Sequence, residues 1–251
     1  ESVMWTNSND RGFDINYLNP IIFYRAIEFE TGQGAGNAIV GASGKYKVND
    51  NVNIYSQFIL DEFIGKEFFS GSDSWVNKWA YQAGLKYINV ANISNLDMQI
   101  EINQVRPYMY QHRMKSQNWI HYDQALAHPL GANFREVIAI VRYQPISKLS
   151  LNATYSYSKQ GVDSSKTSGN YGGDFTRVYN DRNSDIAPMF QGVKNQVSAL
   201  SVNASYMLWH NLFLDAGIFA RTQINSIRPD KQSTIYRIGL RLNLAQQDYR
   251  N

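Results

Sequence analysis

The sequence predicts an antiparallel, up-and-down transmembrane β-barrel, of which this chain forms the C-terminal part with about ten strands. Three observations predict it. Apolar and polar residues alternate with period two in many separate segments, the pattern of strands whose two faces meet different surroundings. The links between these segments alternate between short and long, as the turns and loops on the two rims of an outer-membrane barrel do. The chain also has no run of about 18 apolar residues, the length a membrane helix needs, and strands that show only alternate residues to lipid need none.

The segments follow in order. In Asn37–Val48 one face reads Ala38, Val40, Ala42, Gly44, Tyr46, Val48, and the other carries Asn37, Ser43, Lys45 and Lys47. Asn49–Asn51 then makes a tight turn into Val52–Phe63, where Val52, Ile54, Ser56, Phe58 and Leu60 oppose Asn53, Tyr55, Gln57, Ile59 and Asp61. Trp79, Tyr81, Ala83, Leu85 and Tyr87 oppose Lys78, Gln82 and Lys86, and Leu96, Met98, Ile100 and Ile102 oppose Asp97, Gln99, Glu101 and Asn103. Val137, Ala139, Val141 and Tyr143 oppose Glu136 and Arg142, with Ile138 and Ile140 blurring the pattern. Leu149, Leu151, Ala153, Tyr155 and Tyr157 oppose serine, asparagine and threonine. So do Leu200, Val202, Ala204, Tyr206 and Leu208. Leu212, Leu214, Ala216, Ile218 and Ala220 oppose Asp215 and Arg221; Tyr236, Ile238, Leu240, Leu242 and Leu244 oppose Arg237, Arg241 and Asn243.

Short links fall at Asn49–Asn51, Ile88–Asn95, Gln144–Lys148 and His210–Asn211. Long ones fall at Asn7–Gly36, Ile64–Trp75, Gln104–Asn133, Gln160–Lys194 and Asn225–Gln232. With the long loops outside the cell, strand 36–48 descends toward the periplasm and strand 233–244 ends there, which makes 1–244 the barrel region and 245–251 a periplasmic tail. On the lipid face Trp79, Tyr81, Tyr155, Tyr157 and Tyr236 then fall near the outer rim, and Tyr46, Tyr87, Tyr143 and Tyr206 near the periplasmic one. Two aromatic girdles around an aliphatic band suit a bilayer, because amphipathic rings prefer its interfaces. Glu1–Trp5 looks like the end of a tenth strand, so further strands are expected before Glu1. Closure itself is expected because unpaired backbone groups have no water to bond in lipid.

Composition narrows the function. Tyrosine is abundant, with 17 Tyr beside 12 Phe and 5 Trp, and cysteine is absent, which excludes disulfides and thiolate metal sites. The net charge of +3 is spread without a basic run, so nucleic acid is not an expected partner. Lys45, Lys47, Asp61, Lys78, Asp97, Glu101, Arg221, Arg237 and Arg241 fall on the interior face, where mixed charges cross-link a barrel or line an aqueous path. The first long loop holds Asn19, Phe23, Tyr24 and Arg25; the third holds Tyr108, Tyr110, His112, Trp119, His121, Tyr122 and His128. Aromatic rings stack on sugar faces while Asn, Arg and His bond hydroxyls or carboxylates, so these residues make either a glycan surface or the packing of a lid over the barrel mouth.

Other chemistry finds less support. The histidines at 112, 121 and 128 lack metal-site spacing. Asp61, Glu62, Asp97, Glu101 and Glu136 could be paired for glycosidic cleavage, but mixed-sign interior charge more often has a structural role. Asp163, Asp174, Asp181 and Asp185 make calcium conceivable in the loop 160–194, without an EF-hand pattern. No catalytic residue and no cofactor is expected.

The long loops carry the most distinctive text: Tyr17-Leu18-Asn19-Pro20-Ile21-Ile22-Phe23-Tyr24-Arg25-Ala26-Ile27-Glu28-Phe29, the strand Tyr55–Phe63, Val105-Arg106-Pro107-Tyr108, and His121–Glu136. These segments resemble the capsule-assembly Wzi-like family of outer-membrane proteins, which includes gliding motility protein RemB, over most of residues 1–143. The resemblance implies a surface role: assembling or holding capsular polysaccharide, or serving gliding and secretion machinery. A subunit contacting other outer-membrane proteins or lipoproteins, and a porin-like channel, are the competing expectations.

Overall fold

A computed structural model describes residues 1–5, 18–19, 24, 26–27, 36–62, 64–165 and 169–243. Ten strands form one antiparallel sheet in which each pairs with the next along the chain. They are β1 (Ser2–Trp5), β2 (Gly36–Lys47), β3 (Val52–Glu62), β4 (Lys78–Tyr87), β5 (Leu96–Val105), β8 (Phe134–Ile146), β9 (Leu149–Val162), β10 (Val193–Trp209), β11 (Leu212–Asn225) and β12 (Lys231–Leu242). Between β5 and β8 a small hairpin, β6 (Ile120–His121) and β7 (Gln124–Ala125), stands apart. Glu1–Trp5 does supply a strand, paired with Gly36–Ile39. The sheet is open: β1 and β12 are its edges, and they are not paired with each other. Four residues on one edge face twelve on the other. The expected tail 245–251 and Leu244 lie outside the described residues.

Register carries the two-faced pattern across the sheet. Directly opposed residues point the same way, so one row of partners can be followed from strand to strand. Tyr46 opposes Ile54, which opposes Leu85, then Ile100, Ala139, Tyr155, Leu200 and Ala220. Val52, Tyr87, Met98, Val141, Ala153, Val202, Ile218 and Tyr236 form the next row on that face. The opposite face runs Lys45, Tyr55, Gly84, Glu101, Ile138, Ser156, Ala199, Arg221 and Ser233. A slip of one residue anywhere would exchange the faces beyond it. The apolar face is not a water-excluding core: Leu240 is 70% exposed, and Ile54, Ile100 and Leu200 are exposed too.

Three bulges revise strict alternation, the third of them between Tyr143 and Ile146 at the end of β8. Between Leu60 and Glu62 the register shifts, so Glu62 comes opposite Lys78 and joins the polar face. A second shift at the end of β10 sets Trp209 opposite Leu212, which adds an exposed indole to the apolar face at the short-turn rim. Such extra residues re-aim side chains while preserving the ladder on either side. A short helix, Gly65–Phe69, was also not expected. Phe68 meets Phe58 edge-on at 6.5 Å, and Phe58 stacks on Trp79 at 6.2 Å, which stacks on Tyr81 at 6.0 Å. This aromatic cluster sits on the apolar face beside the long loops.

The turns of the other rim are tight and asparagine-made. Asn49 Oδ1 accepts from the backbone N–H groups of Asn51 and Val52 at 2.9 and 2.8 Å. Asn89, Asn92, Asn95 and Asn211 all take left-handed backbone, which asparagine tolerates better than most residues. The link expected over Gln144–Lys148 shrinks to Ser147–Lys148, because β8 continues through a bulge to Ile146.

Polar stitching holds the polar face of the sheet. The Tyr55 ring lies across Gly84, where a Cβ would collide with it. Its hydroxyl donates to Glu101 at 2.6 Å and accepts from Gln99 at 2.9 Å. Gly84→Val should therefore displace the ring, break the Glu101 bond and cost about 1–3 kcal/mol, measured as a lowered urea midpoint for the folded protein.

Candidate functional site

The buried residues do not lie between the sheet faces. They gather at the long-loop rim, where the loop segments 64–77, 106–133, 163–165 and 169–192 pack on the top of the polar face. An apolar nucleus of Ile39, Ala80, Val105, Met109, Tyr110, Ala132 and Phe134, flanked by Ile59, Trp119 and Leu130, joins loop to sheet. Most of what surrounds it is amide. Asn133 Nδ2 donates to the carbonyls of Gly161 and Gln191, both at 3.0 Å, while its Oδ1 accepts from Phe190 N at 2.6 Å. Asn118 accepts from His112 N at 2.6 Å and donates to the carbonyls of Phe175 and Arg177 at 2.9 and 2.8 Å. Asn170 and Gln111 bond each other at 2.8 Å, and Gln111 reaches the Asp174 carbonyl at 2.7 Å. Loop backbone without a ladder has to find partners when buried, and these amides supply both donors and acceptors.

Lys78 ties the three loops at one point. Its side chain is 0% exposed, and its ammonium donates to Glu62 at 2.9 Å and to the Gln111 carbonyl at 3.1 Å. It lies 4.2 Å from the Tyr179 ring centre and 5.3 Å from that of Trp75, contacts favoured by the ring quadrupole. Arg182 covers Trp75 at 4.1 Å. Asp61, also buried, accepts from Tyr110 N at 2.8 Å. Lys78 and Asp61 were expected to face the interior of a barrel; the loops bury both at the end of the sheet that they cover. The other interior charges remain on the polar face. Lys45 and Lys47 are exposed, and Lys47 pairs with Asp50. Asp97 accepts from Asn89 N, Glu101 from Tyr55, Arg221 bonds Gln223, Arg237 bonds Asn203, and Arg241 pairs with Asp215.

Beneath the loop 106–133 lies a cavity of about 330 Å³. Gln57, Gln82 and Asn103 of the polar sheet face line one side, and Tyr110, Trp119 and His128 of the loop line the other. His128 is oriented from three directions. Its Nδ1 accepts from Leu130 N at 3.2 Å, which leaves the proton of the neutral ring on Nε2, 3.1 Å from Glu136. Its ring lies 4.4 Å from that of Phe134. Amide groups, an indole and an imidazole around such a volume suit hydroxyl-rich ligands, which need stacking and hydrogen bonds more than charge.

The expected glycan set thus divides. Trp119 and His128 meet in the cavity. Tyr108 is buried and structural: its hydroxyl donates to the Asn170 carbonyl at 2.9 Å and accepts from Gln191. Its left-handed backbone fits against Gly172, which has φ +78° and no room for a side chain. His121 and Tyr122 stack edge-on at 4.5 Å on the β6–β7 turn, away from the cavity lining, with Tyr122 88% exposed. Asn19 and Tyr24 are half-buried, and Tyr24 N donates to Glu1. Phe23 and Arg25 lie outside the described residues. Gln57, Gln82 and Asn103 were visible only as polar-face positions, because nothing in their spacing says which stretch of that face a loop will roof.

Many of the residues weighed for metal and acid–base chemistry have partners within the fold. The three loop histidines separate: His112 is buried at the rim, His121 exposed, His128 in the cavity. Asp163 takes Arg177 and Tyr171 N, Asp174 takes Thr176, and Asp185 takes Arg182. No group of three or more His, Asp or Glu placed to hold a metal occurs among the described residues. Glu101 and Glu136 share Asn103 Nδ2, at 3.0 and 3.4 Å.

His112 makes the lid sensitive to acid. Burial, and then the nearby Lys78 ammonium, push its pKa down to about 4. An unfolded histidine titrates near 6.5, so the unfolded chain takes up the proton first as pH falls. The stabilisation is complete above about pH 6.5 and is lost between there and about pH 4, on the order of 1–3 kcal/mol. Loop proteolysis followed from pH 7 to 4.5 should accelerate, and His112→Gln should flatten that profile.

Curated proteins provide no match to this chain. A family model described as capsule assembly protein Wzi matches residues 9–234. The matched span takes in β2 to β11, all three packed loops and the first residues of β12. This chain belongs to the capsule assembly protein Wzi family.

Proposed function

We propose that the sheet closes with further strands into an outer-membrane barrel of a Gram-negative bacterium, with the long-loop rim outside the cell. There the protein serves capsule assembly by holding surface polysaccharide, without catalysing a reaction on it. The observation that carries this reading is the cavity under loop 106–133, where Trp119, Tyr110 and His128 face Gln57, Gln82 and Asn103. The membrane setting is supported by the apolar rows in register over the sheet, by their exposure, and by the Phe58, Phe68, Trp79 and Tyr81 cluster at one border. No described helix is long and apolar enough to cross a membrane, which leaves strands as the crossing elements in this reading. A lid anchored by buried amides at the rim fits a holding role better than an open pore. The same surface would serve adhesion in gliding or contact with partner envelope proteins, the two other roles open to it.

Two measurements test the reading. Leu151→Arg puts a charge on the apolar face and should cost about 2–4 kcal/mol on folding into lipid vesicles; an unchanged stability there would reject the membrane face. On a glycan array, Trp119→Ala should weaken capsular polysaccharide binding about tenfold, the loss of roughly 1.4 kcal/mol of stacking. Tyr122→Ala should leave it unchanged. Binding indifferent to Trp119 would remove the cavity as the site.

A further inference from the structure

At the opposite end of the sheet a second cavity, of about 420 Å³, opens on the polar face of β9 to β12. Two cross-strand rows build it. Asn152, Asn203, Gly217 and Arg237 oppose one another in sequence, and Ser150, Ser205, Asp215 and Gly239 form the row beside them. Both arginines of β12 lean back over β11 onto β10. Arg241 reaches Asp215 at 2.7 Å and Ser205 at 3.1 Å, and rests 4.3 Å from the Phe213 ring. Arg237 donates to the side-chain Oδ1 of Asn203 at 2.8 Å, and that amide lies over Gly217. Between them stands Gly239, where a side chain would meet only open space.

The two guanidinium groups differ in what they face. Arg241 is neutralised by a carboxylate, whereas Arg237 meets one neutral amide and no carboxylate among the described residues. A guanidinium has five N–H donors in a planar fork suited to a carboxylate, and Arg237, which lines the cavity, bonds through one of them to Asn203. Arg142, in the same row, at least stands opposite a carboxylate residue, Asp97, in register. The serine and asparagine side chains around Arg237 offer the donors and acceptors that sugar hydroxyls use. The volume lies within the range of small-ligand pockets, about 300–1,000 Å³.

We propose that this cavity is a second carbohydrate subsite, for a carboxylate-bearing sugar, with Arg237 binding the carboxylate and Ser150 and Asn152 the hydroxyls. It rests on the polysaccharide-holding reading above but uses none of the loop residues. A simple anion would use Arg237 alone; the hydroxyl and amide lining favours a sugar that carries both kinds of group.

The test uses the full chain in detergent micelles, titrated calorimetrically with a galacturonate tetramer, with maltotetraose and with inorganic phosphate. The acidic tetramer should bind, and the neutral one at least tenfold more weakly. Arg237→Gln should lower affinity for the acidic tetramer about 10- to 100-fold, as for loss of a charged hydrogen-bonded pair. Gly239→Ile, which fills the gap and leaves both arginines in place, should lower it to a similar degree. Trp119→Ala should leave this binding unchanged, even if it abolishes binding at the loop cavity. Equal binding of the acidic and neutral tetramers, competition by phosphate at equal concentration, or affinity unaffected by either β12 variant would each overturn the proposal. Unchanged strand content by circular dichroism in both variants excludes misfolding as the cause of a loss.

Discussion

Antiparallel pairing hands each side chain's face to the strand beside it, and that constraint shapes everything else in this protein. Because opposed residues share a face, a single row from Tyr46 to Ala220 stays on one side through seven pairings. The apolar residues of the sheet are thereby placed on one exposed face. Little is left for a conventional core, and the chain makes its core elsewhere, at the loop rim, from asparagine, glutamine and tyrosine. Burial of such groups is tolerable only when each donor and acceptor is paired, which is why so many rim amides bond several carbonyls at once.

Strand existence, order and facing were legible in the sequence because period-two alternation is a local property and the asparagine turns mark its ends. The polar face could be listed residue by residue, from Lys45 to Arg241. Departures came where one residue was added to a strand. Glu62 reads as outward in the alternating text, yet the bulge beside Asp61 turns it toward Lys78. Trp209 follows Leu208 in a run that offers no hint of a shift, and the bulge sets it opposite Leu212. Closure into a barrel depends on what meets the edges of β1 and β12, which alternation cannot express.

The site was legible only in part. Trp119 and His128 stood out as an aromatic and an imidazole in a long loop, and the fold brings them together. Tyr108 carried the same signal but spends its hydroxyl on Asn170 and Gln191. Composition cannot separate a ring that faces a cavity from one that fills a lid. The hubs Asn118, Asn133 and Asn170 read as ordinary loop polarity, since their importance lies in contacts with residues about 57 to 62 positions away. Across the molecule, the two cavities sit at opposite ends of one polar face, one walled by rings and neutral amides and the other by serine, asparagine and aspartate side chains with the guanidinium of Arg237.

The Lys78 junction has a mechanical consequence. One ammonium holds Glu62 from the sheet, the Gln111 carbonyl from one loop, and the rings of Trp75 and Tyr179 from two others. No single loop can swing away without uncovering a charge that the remaining two would then have to keep dry. The three loops are therefore fastened to one another as well as to the sheet, and each is held in part by the other two.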